Sequence, residues 1–235
     1  MQKVDLKSMT FAELQKFVED LGEKKFRTTQ LYQWMHQKMV KGFASMTNLS
    51  AAFRDKLEEQ AALNGCTMVK RQISADGTNK FLMELSDGNK VESVLMKYHH
   101  GNSVCISTQV GCRMGCRFCA STVGGLNRSL TTGEMLEQIY EVQRITGERV
   151  SNVILMGIGE PLDNYENVVR FIRMISDERG LHISQRNITL STCGLVDGIY
   201  RLMKEDLTIT HAIALHAPND VLRRDMMPVA NRYSV

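Results

Sequence analysis

Three cysteines lie close together in the segment GCRMGCRFCAS, residues 111–121. Cys112, Cys116 and Cys119 are separated by three and then two residues, and no further cysteine or histidine lies within the segment. Structural zinc and ferredoxin clusters use four protein ligands. Three thiols therefore leave one coordination position either to a distant ligand or open for a substrate.

Three more distant residues could complete a zinc site, although each lies on another predicted strand. These candidates are Cys105, Cys193 and His216. A third possibility is a chance grouping of structural thiols. The C-x3-C-x2-C spacing directly after a predicted strand resembles the radical S-adenosylmethionine (SAM) superfamily. That resemblance implies a four-iron, four-sulfur cluster held by Cys112, Cys116 and Cys119, with its open iron chelated by SAM.

Small and polar residues end three later predicted strands. Gly157 to Pro161 (GIGEP) ends one strand, Ser191 the next, and the triplet Ala214, Leu215 and His216 the last. Glycines let the backbone approach a ligand, and a carboxylate such as that of Glu160 can accept from an ammonium. An ordinary Gly-Glu-Pro turn and a core histidine remain alternatives for these segments.

Composition excludes several other classes of protein. The chain has 235 residues, is 43% hydrophobic, and carries a formal net charge of +3, which is too mild to indicate a nucleic-acid partner by itself. Four of the six cysteines fall within fifteen residues, which favours metal or redox chemistry in a reducing cytosol over a disulfide scaffold. No apolar run approaches a membrane span, so we expect a cytoplasmic protein without membrane contact.

The elements that must position these groups show three successive patterns of apolar residues. Apolar residues recur at helical spacing over residues 10–63, and alternation over 66–98 predicts two or three antiparallel strands with a turn at Asp76-Gly77. After residue 102, short apolar runs alternate with amphipathic helices. One of those helices begins with a capping box formed by Thr131 and Glu134. Such repeated strand and helix units imply a parallel sheet covered by helices.

These patterns predict an α/β fold with three parts. We expect a helical module over residues 1–63, a β-rich connecting segment over 64–101, and a partial (β/α) barrel over 102–235. About four strand-helix units fit in the last part, too few to close a barrel. The final residues stop where another strand is expected.

A closer resemblance rests on five motifs. The segments ESVLM, CISTQVGCRMGCRFCAS, MGIGEPLDN, LSTCG and LHAPND are similar to the RlmN/Cfr family of radical SAM adenine methyltransferases, and the likeness spans essentially the whole chain. It implies methylation of carbon 2 of adenosine in 23S rRNA and in tRNA, with a 4Fe-4S cluster and SAM as cofactors. It also implies an electron donor such as flavodoxin or ferredoxin, and we expect a monomer.

The resemblance assigns roles to single residues. Cys112, Cys116 and Cys119 would hold the cluster, and Glu92 would accept the ring proton. Cys105 would form a transient disulfide with a methyl-carrying cysteine as the product is released. The residues that would contact SAM are Gly159, Glu160, Ser191, Ala214, Leu215 and His216. Without the resemblance, Glu92 is a surface residue of an alternating strand and Cys105 a small buried one.

The sequence departs from the family in one respect. The methyl-carrying cysteine and a further SAM-binding asparagine belong to a C-terminal region that this sequence lacks, and no cysteine follows Cys193. We therefore expect that this polypeptide does not complete methyl transfer by itself. The alternatives are another radical SAM enzyme, a Cfr-type carbon-8 methyltransferase, or a metal-stapled RNA-binding module without catalysis.

A basic segment of the helical module is the candidate RNA contact. Residues 22–42 have a local charge of +4, with aromatic residues interleaved. Basic side chains neutralise phosphates and aromatic faces can stack on exposed bases, although a solvated helix face has the same pattern. The basic residues are Lys24, Lys25, Arg27, Lys38 and Lys41, and the aromatic ones are Phe26, Tyr32 and Trp34.

Overall fold

The computed structural model describes residues 3–235, so the first two residues of the expected helical module lie outside the described part. It contains seven α-helices within that range. They are α1 (Phe11–Asp20), α2 (Phe26–His36), α3 (Ala51–Gln60), α4 (Thr132–Thr146), α5 (Tyr165–Ser176), α6 (Val196–Leu202) and α7 (Asp220–Met226). Short 3-10 turns connect several of these helices.

The strands fall into one large sheet and two small ones. A short pair joins β1 (Val4–Asp5) to β2 (Ala61–Ala62), and another joins β7 (Gln109–Gly111) to β8 (Leu126–Ser129). The large sheet has the order β11-β10-β9-β6-β5-β4-β3. Its members are β3 (Cys66–Ile73), β4 (Asn79–Leu85), β5 (Lys90–Tyr98), β6 (Gly101–Ile106), β9 (Val150–Leu155), β10 (Ile188–Thr192) and β11 (Thr210–Ile213).

Strand β6 joins two kinds of pairing in this sheet. It runs antiparallel to β5 and parallel to β9, and β10 and β11 continue the parallel half. The predicted partial barrel with an antiparallel extension is therefore confirmed. Strands of the 64–101 segment extend the same sheet, and the apolar run SVCISTQVG, residues 103–111, divides into β6 and β7.

Helix α4 shows why the sequence folds as expected beside this sheet. The capping box is present, because the Thr131 hydroxyl accepts the Glu134 N–H and the Glu134 carboxylate accepts the Thr131 N–H. Gly147 ends the helix in the left-handed conformation at φ 69°. Its apolar face packs on the sheet, where Met135, Ile139 and Val142 are fully buried. Burial of such side chains is the main stabilising term in the fold.

The two faces of the sheet differ. Residues that alternate along β6, β9 and β10 pack under helices α4 and α5, and their side chains are buried. These are Val104, Ile106, Val153, Leu155, Ile188 and Leu190. Their neighbours point to the opposite face, where Cys105, Ile154, Thr189 and Ser191 are only half-buried. The chain thus has one helix-covered face and one open face.

The N-terminal helices form a second core around Leu14, Leu31 and Phe53, which confirms the predicted helical module. A buried ionic contact joins this module to α4, since Lys7 Nζ lies 2.6 Å from Glu137 Oε2 and both side chains are 1% exposed. His36 contributes a second contact, with its Nδ1 2.8 Å from the Tyr140 hydroxyl oxygen. Burial lowers the pKa of His36 to about 3, so this imidazole is neutral.

Within residues 3–235, none of the helices is both long enough and apolar enough to cross a membrane.

Candidate active site

The cysteine loop is enclosed by the small sheet of β7 and β8. Gly111 ends β7 at φ 74°, and a Cβ there would lie 2.0 Å from the Gly125 carbonyl oxygen, so only glycine fits. The next residue, Cys112, donates its N–H to that same carbonyl at 3.0 Å. The hairpin therefore closes the loop at its base and holds Cys112 beside the ends of the main strands.

Two arginines of the cysteine loop, Arg113 and Arg117, form ion pairs with two other parts of the chain. The Arg113 guanidinium forms a two-pronged ion pair with Asp163, with Nε 2.9 Å from Oδ2. Arg117 pairs with Asp225 on α7 at 2.6 Å and donates its backbone N–H to the Met226 carbonyl. In the structure each one pairs with an aspartate.

The loop and the strand ends line one cavity of about 160 Å³. Eight of the residues expected to bind the cluster or SAM lie in its wall: Cys112, Cys116, Cys119, Gly159, Glu160, Ser191, Ala214 and His216. The other three expected site residues, Leu215, Glu92 and Cys105, do not line it. Parallel strands present their carboxyl ends at one edge, which is where α/β folds build sites.

Glu160 is held firmly in the wall of this cavity. Its carboxylate is buried and accepts the N–H of Cys193 at 2.8 Å and the N–H of Leu162 at 3.1 Å. Its own N–H donates to the side-chain oxygen of Gln109. Gly159 beside it has φ 106°, and a Cβ there would lie 2.6 Å from Gln109. Each carboxylate oxygen keeps a second lone pair, so Glu160 can still accept from a ligand.

The last strand end bears an aromatic contact. His216 has φ 56° and meets the Phe118 ring edge to face at 4.8 Å between centroids. Both rings are exposed, so they stand at the mouth of the cavity. Leu215 points outward, but its carbonyl oxygen accepts from Arg223 Nε at 3.1 Å. It therefore lies beside the site through its backbone.

Glu92 and Cys105 lie on the open face of the sheet. Cys105 of β6 pairs with Val94 of β5, so both point to the same face as Glu92, which lies two residues before Val94. On its other side Cys105 pairs with Ile154 of β9, which in turn pairs with β10 and so places Ser191 on that face too. The Cys105 thiol lies beside the backbone of Met156, a residue that lines the cavity. The Glu92 carboxylate is 42% exposed and lies 2.7 Å from Lys80 Nζ.

The cysteine thiols share a confined space. Burial raises the pKa of Cys112 and of Cys116 above the ordinary thiol value, and the charges of the neighbouring cysteines add to that rise. Burial likewise raises the pKa of Cys105. Thiols of this kind give up their protons when a metal binds, because metal ligation requires the thiolate.

The donor set fits a cluster better than a single ion. Among residues 3–235, no three His, Cys, Asp or Glu side chains converge closely enough to hold one metal ion. In a cubane each thiolate binds a different iron, so the sulfurs surround a space and need not converge on one point. Cys112, Cys116 and Cys119 all line the same cavity, as the three ligands of one cubane must. Among residues 3–235 these thiols do not form a tetrahedral site for a single ion.

Sequence reasoning missed several residues of the site. Gln109 is fully buried and bridges the Glu160 backbone to Asp163, while Phe118, Met156 and Met227 complete the cavity wall. Arg223 is buried behind the strand ends. Gln109, Phe118 and Met156 carried a signal, because the first two lie within the cysteine motif segment and Met156 begins the motif MGIGEPLDN. Arg223 lies on α7 and Met227 directly follows it, and the charged sequence of that helix predicts a surface position.

The basic segment of the helical module is exposed in part. Phe26 is exposed, with the Arg27 guanidinium 4.9 Å from its ring, and Lys38 Nζ lies 3.6 Å over Trp34. Tyr32, by contrast, is buried in the module core. It is therefore not available to stack on a base, because it contributes to the apolar face of α2.

The side chain of Lys41 is half exposed, but its charge is already paired. Its ammonium pairs with Glu141 of α4 at 2.7 Å. Lys24, Lys25 and Lys38 remain at the surface. The surface that could meet RNA is thus smaller than the sequence pattern indicates.

Family comparisons agree with this geometry. The family model described as "Radical SAM superfamily" matches residues 106–234, which include the cysteine loop, the strands β9, β10 and β11, and the last residue of β6. The model described as "Ribosomal RNA large subunit methyltransferase N-terminal domain" matches residues 4–63. The fold and the cysteine loop together define a radical SAM barrel segment.

Individual relatives narrow the class further. A protein of Lachnospira eligens named "Probable dual-specificity RNA methyltransferase RlmN" is 61% identical over 98% of this chain and 66% of its own length. A protein of the same name from Alkaliphilus oremlandii is 52% identical over the full chain and 68% of its own length. The crystal structure of a radical SAM methyltransferase from Sphaerobacter thermophilus superposes with a TM-score of 0.92 at 38% identity, covering 98% of this chain and 69% of that one.

The chain therefore belongs to the RlmN family of the radical SAM superfamily. It spans about two thirds of the length of the curated relatives that it matches.

Proposed function

We propose that this chain forms the cluster-binding and SAM-binding part of a cytoplasmic enzyme that methylates carbon 2 of adenosine in 23S rRNA and tRNA. The observation that carries the proposal is the convergence of the cysteine loop with three strand ends on one cavity. The names of the relatives supply the substrate class, since they are dual-specificity RNA methyltransferases.

Three thiols would hold a 4Fe-4S cluster, namely those of Cys112, Cys116 and Cys119. When bound, the cluster would supply the single electron that cleaves SAM, taken from a donor such as flavodoxin or ferredoxin. Backbone groups of Gly159, Ala214 and His216, together with the side chains of Glu160 and Ser191, would bind and orient SAM, since all five residues line the cavity. Leu215 would contribute through its backbone beside them. The Phe118 and His216 rings would limit access of water at the mouth.

The open face of the sheet supplies the remaining groups of the reaction. Glu92 carries a carboxylate that can accept a proton from the adenine ring, and Lys80 holds that carboxylate in place. Cys105 holds a proton on a thiol that is partly buried beside Met156. A transient disulfide at Cys105 would require a second cysteine outside the cluster set.

RNA would meet the helical module through its exposed basic and aromatic groups. Lys24, Lys25 and Lys38 can neutralise phosphates, and Phe26 offers an exposed ring for a base. An adenine must leave its stack to reach a cavity at a strand edge. The helical module would thus bind the RNA, and the reaction would take place at the cavity.

The test is anaerobic reconstitution of the chain with iron and sulfide, followed by metal analysis and SAM binding. We expect about four irons and four sulfides per chain. Cys116→Ala should lose most of this content and the SAM binding that depends on it. Cys66→Ala is the matched control, because Cys66 is a buried cysteine of β3 outside the cavity. It should retain the full content.

Two results would contradict the proposal. One is stoichiometric zinc in place of iron and sulfide, which would favour a metal-stapled RNA-binding module. The other is equal iron content in Cys116→Ala and in the unchanged chain.

The RNA part is tested separately with a 23S rRNA fragment, whose binding should weaken steeply with salt. Full SAM binding without RNA binding would favour a radical SAM enzyme with another substrate.

A further inference from the structure

Arg223 is a buried cation that the proposed chemistry does not use. It lies on α7 with 4% of its surface exposed. Among the described residues its guanidinium donates only to backbone carbonyls: Nη2 to Cys193 at 2.7 Å and to Ala214 at 3.3 Å, and Nε to Leu215 at 3.1 Å. A buried charge requires partners, and here the carbonyls at two strand ends supply them.

These carbonyls belong to the segments that form the cavity wall. Cys193 directly follows β10, and Ala214 and Leu215 directly follow β11. Strand pairing has ended at these positions, so the carbonyl oxygens of Cys193 and Ala214 require other donors, while that of Leu215 also accepts from the Ala217 N–H. The planar guanidinium has several donors in a fixed arrangement and can span both strand ends at once, which a lysine ammonium does less well.

The backbone is shaped to receive this side chain. Gly194 has φ 102°, and a Cβ there would lie 3.1 Å from Nη2 of Arg223. Cys193 is bound on its other side by Glu160, which accepts its N–H. A continuous path of hydrogen bonds therefore runs from the cavity carboxylate through the Cys193 backbone to the guanidinium. Movement of Arg223 would shift both strand ends.

We infer that Arg223 is a positioning residue for SAM, which acts by fixing the backbone after β10 and β11 in the geometry that the ligand requires. This inference rests on the proposed function. Arg223 itself does not line the cavity, and it contacts the lining residues Cys193 and Ala214 only through their carbonyl oxygens. Its effect passes through Cys193, Ala214 and Leu215.

The experiment compares Arg223→Lys with the unchanged, reconstituted chain. Lysine keeps the charge but loses the fork that joins three carbonyls. We expect the dissociation constant of SAM, measured by equilibrium dialysis, to rise about tenfold, while iron and sulfide content stays unchanged. Arg224→Lys is the matched control, because Arg224 is the exposed neighbour on the same helix. It should bind SAM as the unchanged chain does.

Amide hydrogen exchange supplies a readout without any ligand. The N–H of Ala214 donates to Thr192 and the N–H of Ala217 donates to Leu215. Arg223→Lys should speed exchange at these two amides and leave α4 protected. Loss of protection throughout the chain would make Arg223 a general fold residue and overturn the inference. Unchanged exchange with unchanged SAM affinity would overturn it as well.

The two proposals fail in different ways. If the unchanged chain binds neither cluster nor SAM, the proposed function is wrong, and the exchange experiment still decides whether Arg223 fixes the strand ends. If the unchanged chain binds SAM and Arg223→Lys binds it within twofold, only the positioning role is wrong.

Discussion

The helix-covered face and the open face of the large sheet are built from alternate residues of the same strands, yet they have opposite character. On β9, Leu155 is fully buried under the helices, while the preceding Ile154 points to the open face and is half-buried. On β5, Ser93 is buried and hydrogen-bonded, while Glu92 is 42% exposed and paired with Lys80.

This contrast shows how one strand can serve stability and chemistry together. Side chains alternate with a period of two, so a strand end can support a packed core on one face and present Cys105 or Ser191 on the other. Changes on the covered face should therefore act on folding, and changes on the open face should act on function. Each of the following experiments compares a substitution at a buried position with one at a more exposed position, using adjacent or similar residues.

The largest effect is expected for Leu155→Ala. Its side chain is fully buried, so the change removes apolar contacts and leaves a cavity that costs about 4 kcal/mol of unfolding free energy. Ile154→Ala is the matched control of similar size on the open face, with an expected loss of about 1 kcal/mol. Urea unfolding followed by circular dichroism measures both. Equal losses would show that the open face is packed as tightly as the covered one.

Sequence patterns predicted this division well where side chains follow the ordinary preference for burial. Alternation located β3, β4 and β5, and the capping box located the start of α4 at Thr131. The cysteine spacing and the strand-end motifs identified eight residues that the fold brings to one cavity. These features are local in sequence, so they could be read without knowledge of the tertiary contacts.

Buried charges could not be predicted in this way. Lys7, Glu137 and Arg223 are charged, and a sequence pattern places charged residues at the surface. Each is buried because a partner distant in the chain satisfies it: Lys7 pairs with Glu137 across 130 positions, and Arg223 donates to carbonyls that directly follow β10 and β11. Tyr32 was misassigned for the same reason, since the helix packing that covers it is not visible in its own segment.

A somewhat smaller effect is expected at the buried ion pair between Lys7 of the helical module and Glu137 of α4. Lys7→Met leaves Glu137 buried with Arg144 as its remaining partner, and we expect a loss of about 3 kcal/mol. The double variant Lys7→Met with Glu137→Leu should recover most of it, because the uncompensated carboxylate is gone. Thermal and urea unfolding measure both variants.

The control for that experiment is an ion pair at the surface. Lys90 lies 3.3 Å from Glu84, and about half of each side chain is exposed. Lys90→Met should change stability by less than about 1 kcal/mol. If Lys7→Met were as mild as Lys90→Met, the helical module would be joined to α4 by other contacts, and the ionic contact would be incidental.

The smallest effect, and the sharpest comparison of the two faces, is expected at neighbouring residues of β5. The Ser93 hydroxyl donates to Gln138 Oε1 at 2.8 Å, and that oxygen also accepts the Ser107 N–H at 2.9 Å. Ser93→Ala therefore removes one of two donors and should cost about 1 kcal/mol. Glu92→Gln keeps the size of the side chain and should stay within about 0.5 kcal/mol, because its ion pair with Lys80 is half exposed. Urea unfolding decides between them: a Glu92→Gln loss equal to that of Ser93→Ala would mean that Glu92 supports the fold, and a carboxylate with that duty is a poorer candidate for the proton acceptor.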